Sequence, residues 1–428
     1  MSALAFVATC DLVAMVRGRA LPRAALLSSG TGVGWVPADL ALSAFGGIAE
    51  PNPFGALGDL RLLPDVSTEV LLPPAVVGSD PLHLFLATQT NLDGTPWECD
   101  PRASLQAAIA KLEKSSGLSV MASFEHEFTL RGIDGSHLTG NPFGLGALRV
   151  AEPFGSQLLA ALAVAGYEIE NWLPEYGAGQ FEITLKPVGA LMAADRAIIL
   201  REIVREVARA NSLRASFVPL QSLSSVSNGV HVHLSLWRDG VPVTYEPGAD
   251  GDISPIAANA FAGILEHAES LLAWTAPSQI SFLRLRPHRW SSGSICIAKQ
   301  NREALLRICP VVQFGRADPA HSFNVEYRAA DATANPWLVL AGIIEAMVDG
   351  LERKCDLPKV LVGEVEGFGR RLPLSLDEAI TAFSLDSTAA NWFAPNLVAT
   401  HLGIRAAESN AMVGLNDDEK CARYSSVY

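Results

Sequence analysis

Cysteine is scarce in this chain and never paired in sequence. Six are scattered, at Cys10, Cys99, Cys296, Cys309, Cys355 and Cys421, with no Cys-x-x-Cys spacing. This excludes a zinc site of the usual ligand spacing and the disulfide framework of a small secreted domain. Positive charge is also short: 32 Lys and Arg face 45 Asp and Glu, a net charge of −13. The chain therefore lacks the basic face that nucleic acid demands. Its acidic excess has two readings, simple solubility or carboxylates held close together by cations. No uninterrupted apolar run reaches about 18 residues, so no membrane span is expected. The opening stretch is apolar, but no basic residue precedes it and Asp11 interrupts it. It predicts a buried first strand rather than a signal peptide, with the cytoplasm as the default compartment. Walker P-loop, Rossmann glycine fingerprint, internal repeat and low-complexity tract are all missing, so any nucleotide binds in another way.

What is present is an ordered globular composition. The 428 residues are 49% hydrophobic and 18% charged, enough for two or more domains around a large core. Residues 1–99 hold short apolar runs between Gly and Pro: VAMVRG, SSGTGVGWVP, LRLLPD, VLLPPAVVG and LHLFLAT. Such runs predict strands and a small, strand-rich N-terminal domain. A helix start follows. Asp100 is an N-cap, Pro101 takes the first helical position, Leu105, Ala108, Ile109 and Leu112 recur at helical spacing, and Gly117 is a stop. Over residues 100–428 strands alternate with longer helices, predicted near 156–165, 190–212, 256–274 and 336–354. Asn335 and Pro336 open the last of these, and Ser375 with Glu378 forms a capping box for another. This second unit reads as an α+β or α/β catalytic domain.

Four predicted strands carry charge on one face only. Side chains of a strand alternate between faces. In ASFEHEFTL, Ser123, Glu125, Glu127 and Thr129 oppose Phe124, His126, Phe128 and Leu130. In QFEITLKP, Gln180, Glu182, Thr184 and Lys186 oppose Phe181, Ile183 and Leu185. In GVHVHLSLW, His231, His233, Ser235 and Trp237 oppose Val230, Val232, Leu234 and Leu236. In FNVEYRA, Asn324, Glu326 and Arg328 oppose Val325 and Tyr327. One such strand is ordinarily half solvated; four with Glu, His and Arg on the polar side imply a curved sheet with a polar cavity on its concave side. Glu125, Glu127, Glu175, Glu182 and Glu326 would meet there, and like charges resist ionising together unless cations intervene. Several carboxylates with one imidazole, His231, form an oxygen-rich set that suits Mg²⁺ or Mn²⁺. Arg284, Arg302, Arg307 and Arg328 add guanidinium forks that fit carboxylate and phosphate oxygens. Divalent cations with several arginines are the means by which proteins stabilise a transferring phosphoryl group.

In this order the segments FEHEF, PEYGAGQFEITLKP, NGVHVHLSL, RLRP with NREALLR, and NVEYRAADATANPW resemble the motifs of the glutamine synthetase family. More weakly, SGTGVGW resembles the loop that reaches into a neighbouring subunit's site. The resemblance implies an α+β fold: a β-grasp-like N-terminal domain (1–99), then a catalytic domain (100–428) with a half-barrel antiparallel sheet backed by helices. It implies a ring-shaped homo-oligomer, a double hexamer, with sites between subunits. It places Glu127, Glu175 and Glu182 around a metal near glutamate, and Glu125, His231 and Glu326 around a metal at the phosphates of ATP, with two or three Mg²⁺ or Mn²⁺ ions in each site. His233 and Ser235 match nucleotide contacts, and Arg302 and Arg307 match phosphate contacts. Arg284 and Arg328 match contacts to glutamate, with Gly229 nearby; Arg302, Arg328 and Glu326 are the residues expected to act in catalysis. The implied reaction has two steps. ATP phosphorylates the γ-carboxylate of glutamate, and an amine then displaces phosphate.

This sequence departs from the family at the amine end. The flap acid of ammonia-using members aligns with Trp290, and their N-terminal-loop Asp aligns with Ser28, Ser29 and Gly30. An ATP-contacting Arg is replaced by Asn324. Losing two ammonium-binding acids while gaining an indole predicts a pocket for a larger organic amine, with Trp290 as a substrate contact. Alkylamines, ethanolamine, polyamines and aryl amines all stay open. So do an ammonia-using glutamine synthetase and a non-catalytic structural or developmental relative. A guanidino kinase shares the half-barrel idea, but RLRP and NPW argue against it.

Overall fold

The computed structural model of the chain describes residues 3–74, 79–286, 289, 291–316, 318–365 and 367–428. The N-terminal part contains β1 (Leu4–Cys10), β2 (Val16–Pro22), α1 (Arg23–Ser29), β3 (Val33–Trp35), β4 (Leu60–Pro64), β5 (Val70–Leu72) and β6 (Leu82–Thr90). Its sheet runs β2-β1-β6-β4-β3, with β5 also on β6. β1 forms a hairpin with β2 and lies parallel to β6, the mixed arrangement of a β-grasp-like unit. The expected strand in VAMVRG begins only at Val16. The Asp11 carboxylate accepts the Val13 and Met15 N–H groups at 3.0 and 2.8 Å, which holds residues 11–15 in a turn. α1 was not legible as a helix; Gly30, at φ 63°, closes it.

The larger part follows. Its strands are β7 (Ser119–Gly132), β8 (Ile169–Pro174), β9 (Gln180–Leu185), β10 (Val188–Gly189), β11 (Leu213–Ser216), β12 (Val230–Arg238), β13 (Val241–Pro242), β14 (Ser294–Lys299), β15 (Ala304–Ile308), β16 (Val325–Tyr327), β17 (Leu361–Val362) and β18 (Arg370–Arg371). Its helices are α2 (Pro101–Ser116), α3 (Leu145–Val150), α4 (Phe154–Val164), α5 (Ala190–Ala210), α6 (Pro255–Glu266), α7 (Ala268–Thr275), α8 (Ser281–Arg284), α9 (Pro319–Ser322), α10 (Pro336–Arg353), α11 (Leu376–Leu385), α12 (Pro395–Ala411) and α13 (Asp417–Ser425). The main sheet runs β17-β14-β15-β16-β12-β7-β9-β8, with β10 and β11 also on β7. From β15 to β8 every neighbouring pair is antiparallel. At the far edge the pattern changes, because β14 pairs in parallel with both β15 and β17.

Local chemistry explains most of these boundaries. Asp100 accepts the Ala103 N–H and Gly117, at φ 68°, ends α2. The Asn335 side chain accepts the Trp337 and Leu338 N–H groups to open α10. Its amide also donates to the Cys10 and Asp11 carbonyls at 2.9 Å, tying the start of α10 to the end of β1. The single helix expected over 256–274 is instead broken between α6 and α7. There His267 leaves helical geometry, and its ring nitrogens meet Asp386 at 2.6 Å and Asp349 at 2.9 Å. The capping box at Ser375 is only half made. Ser375 accepts the Glu378 N–H, but the Glu378 carboxylate accepts from Leu374 instead of the Ser375 backbone.

α10 is buried along almost its whole length and packs on α2 and α6. Where α6 crosses α10 the backbones touch: a Cβ on Gly263 would lie 2.0 Å from the Ala346 carbonyl oxygen, and one on Gly350 would lie 2.3 Å from the Asn259 carbonyl oxygen. Side-chain rotation cannot relieve a backbone clash. Gly263→Ala is therefore expected to destabilise the protein, at the upper end of the roughly 1–3 kcal/mol cost of overpacking. A denaturation midpoint equal to that of the parent would contradict this crossing.

Candidate active site

Sheet register brings the charged faces together. On β12, His231 sits opposite Glu125 of β7, and His233 lies between Ser123 of β7 and Glu326 of β16. Glu127 of β7 faces Glu182 of β9, and Arg307 of β15 faces Glu326. The alternate residues, among them Phe128, Leu130, Phe181, Ile183, Val232 and Leu234, are buried in the core. His126 shares that apolar side; burial, aided by Arg201, pushes its imidazole down to about 3, so it stays neutral.

Three donors converge most closely. Ligand atoms of Glu125, His231 and Glu326 all lie within 4.8 Å of one another. His231 Nδ1 is 2.8 Å from Glu125 Oε1 and 3.2 Å from Glu326 Oε1. Glu326, fully buried, accepts from Arg307 at 2.8 Å and pairs with Arg328. His233 turns Nε2 to Glu125 at 3.3 Å and Nδ1 to the Asn324 amide oxygen at 2.9 Å. Cys309, which was not singled out in the sequence, places its sulfur 3.7 Å from His233 and 3.8 Å from Glu326. Only its proximity to Arg307 in sequence could have flagged it.

Beside this cluster stands a second group of acids. Burial raises the Glu182 carboxyl to about 10, and Glu125, Glu127 and Glu175 push in the same direction. Burial also raises Glu175 to about 7, with Glu127 adding to it. Glu326 behaves oppositely: burial alone would raise it, but Arg328, His231 and His233 hold it down to about 2. Glu125 likewise stays well below its usual range, because hydrogen bonds from His231 and His233 outweigh its burial. Carboxyls that keep protons at neutral pH, beside converging oxygen and imidazole donors, form a set that fits a hard divalent cation.

The remaining expected residues take distinct places. Arg284 is buried and donates to the Ala329 and Ala330 carbonyls. Gly229 donates its N–H to Glu127 at 2.6 Å. A Cβ there would lie 2.9 Å from His231 and 3.2 Å from Arg284, so the missing side chain lets both approach. Arg328 also donates to the Arg302 carbonyl at 2.8 Å, while the Arg302 side chain is exposed and acts on Glu175 through its field. Ser235, two residues beyond His233 on β12, is buried and accepts from the Trp237 indole at 2.9 Å. Trp290 lies outside the described residues.

Family models described as glutamine synthetase, catalytic domain, and glutamine synthetase N-terminal domain match residues 98–424 and 2–97. The chain belongs to the glutamine synthetase family. It has the two-part architecture of that family, a small N-terminal domain and a catalytic domain whose largely antiparallel sheet is backed by helices, and it is an enzyme of that ligase family. It is 33% identical to a gamma-glutamylpolyamine synthetase of Streptomyces coelicolor over 98% of this chain and 92% of that protein. It is 32% identical to a glutamine synthetase of Thermus thermophilus over 77% of this chain and 76% of that one. A solved structure described as a novel glutamine synthase homolog is 40% identical, with a TM-score of 0.93, over 100% of this chain and 99% of that chain. Among the described residues, no helix is long and apolar enough to cross a membrane.

Proposed function

We propose that the chain joins the γ-carboxylate of glutamate to an organic amine at the expense of ATP. The observation that carries this is the convergence of Glu125, His231 and Glu326, with Arg307 and Arg328 closing on Glu326 and a second acid group beside it. The Streptomyces coelicolor relative, named a gamma-glutamylpolyamine synthetase, matches 98% of the chain, against 77% for the Thermus thermophilus glutamine synthetase. In this reading the domain boundary falls near residue 99, and the active form is a ring-shaped homo-oligomer with sites between subunits.

Glu125, His231 and Glu326 would hold one Mg²⁺ or Mn²⁺, and Glu127, Glu175 and Glu182 another. When bound, such cations neutralise charge that builds up during phosphoryl transfer. His233 and Ser235 face the nucleotide, and Arg302 and Arg307 face its phosphates. Arg284, Arg328 and the Gly229 backbone orient glutamate. A γ-carboxylate oxygen attacks the terminal phosphorus of ATP and ADP leaves. The amine nitrogen then attacks the acyl carbon, phosphate departs, and the nitrogen gives up a proton. The guanidiniums of Arg284, Arg307 and Arg328 are already held by hydrogen bonds, so their stabilisation of the transferring group requires little reorganisation.

Phosphate release with ATP, glutamate and a panel of amines, with the γ-glutamylamide detected by mass spectrometry, tests the proposal. Preference for ammonia over every organic amine would favour a glutamine synthetase; no turnover with any amine would favour a non-catalytic relative. Gly229→Ala gives a local check. Its Cβ would displace His231 and Arg284, and a misplacement near 1 Å is expected to lower kcat/KM for glutamate by roughly 10²-fold. An unchanged kcat/KM for glutamate would remove Gly229 from the glutamate pocket.

A further inference from the structure

Next to the second acid group lies a cavity of about 470 Å³, within the size range of small-molecule sites. Its walls come from two loops that end in site residues. Tyr176 directly follows Glu175, while Leu223 and Val226 belong to the loop that leads to Asn228 and Gly229. The buried Gln180 fastens those loops together. Its amide nitrogen donates to the Ser227 carbonyl at 2.8 Å and to Asn228 at 3.0 Å, and its amide oxygen accepts from the Gly177 N–H at 2.9 Å. Two lining residues, Tyr176 and Ser227, therefore stand one and two residues along the chain from Glu175 and Gly229.

The lining has a definite chemistry. Tyr176, Leu223 and Val226 are 55%, 38% and 40% exposed, which leaves apolar surface accessible on this wall. Serine hydroxyls lie between them. Arg289 supplies the charge: its guanidinium donates to the Leu223 carbonyl at 2.9 Å, which pins it to the wall. No carboxylate appears among the described lining residues. Nearby, Asp418 accepts the Leu223 N–H at 2.8 Å and does not line the space. A second ammonium placed against this wall would meet the like charge of Arg289, with no carboxylate among the described lining residues to offset it.

We infer that this cavity receives the body of the amine, and that Tyr176, Leu223, Val226 and Arg289 select a monoamine with an apolar, uncharged body over a diamine or polyamine. The inference rests on the ligase function proposed above. It adds the amine class and the residues that set it.

The test compares kcat/KM for benzylamine and isopentylamine with that for putrescine, spermidine and β-alanine, on the full-length enzyme with saturating ATP, glutamate and Mg²⁺. The monoamines are expected to exceed the others by at least tenfold. Arg289→Glu, and independently Leu223→Asp, are each expected to shift the putrescine-to-benzylamine ratio upward by about tenfold. A folding defect would scale both substrates and leave that ratio unchanged. Wild-type preference for putrescine or spermidine would overturn the inference while leaving the ligase reading standing. Preference for β-alanine would overturn it by making Arg289 an anion anchor. A ratio unmoved in both variants would also overturn it. No phosphate release with any amine would instead sink the ligase reading, and this inference with it.

Discussion

Glu326→Gln is expected to cut ATP-dependent phosphate release by roughly 10²–10³-fold or more, the scale seen when one fixed electrostatic partner is removed from a transition state. Few residues in the chain are as heavily engaged. Glu326 is fully buried, faces His231 at 3.2 Å, accepts from Arg307 at 2.8 Å and pairs with Arg328. An amide of the same shape removes the charge and turns an N–H₂ group towards one of the guanidiniums. The variant should also lose stability, by about 3–5 kcal/mol if the buried pairs fail together. Rates taken well below its melting temperature separate the two effects. A Glu326→Gln enzyme that retained a tenth of the parent rate would remove Glu326 from the centre of the site.

Binding of Mn²⁺ is expected to tighten steeply with pH. In the cation-free protein Glu182 is raised to about 10 and Glu175 to about 7, burial being the largest cause for each. A cation must displace those protons. Below about pH 7 two protons leave, so apparent affinity should rise by about a hundredfold per pH unit; above it only the Glu182 proton leaves, and the gain falls to about tenfold. Stability runs the other way. The ordinary glutamate value is 4.5, so above it the unfolded chain gives up protons that the folded chain keeps. The cation-free protein should therefore lose stability as pH rises above about 4.5, up to about 7 through Glu175 and on to about 10 through Glu182, and added cation should restore more of it at high pH. Calorimetric titration at pH 6, 7 and 8, in buffers of different ionisation heat, reads both affinity and proton release. An affinity independent of pH, with no protons released, would show that these acids do not share a cation.

The strands that carry the acids were legible in the sequence because each sets an apolar face against a polar one, so period-two alternation is written directly into the residues of β7, β9 and β12. Helix caps were legible where a side chain is committed to the backbone, as at Asp100 and Asn335. Other features left weaker traces. β15 is an apolar run with a single Arg307, enclosed on both sides, and shows no alternation; only its pairing reveals that Arg307 faces Glu326. The break at His267 depends on Asp349 and Asp386, which lie 82 and 119 residues away. The Asn324 contact to His233 had the same character: the substitution was visible, but its partner across the sheet was not. The amine cavity was the least legible part, since it is made of loop residues whose proximity comes from Gln180.

The pairing of Glu127 with Glu182 and of His231 with Glu125 has a consequence for how such enzymes diversify. Neighbouring strands stand about 4.8 Å apart, so distances between the acidic donors are a property of the sheet and resist gradual change. The loop carrying Leu223 and Val226 is under no such constraint. Nucleophile choice and phosphate activation are therefore separable inheritances: transplanting the 222–227 loop between relatives should carry over the taste for one amine while the recipient keeps its own handling of ATP.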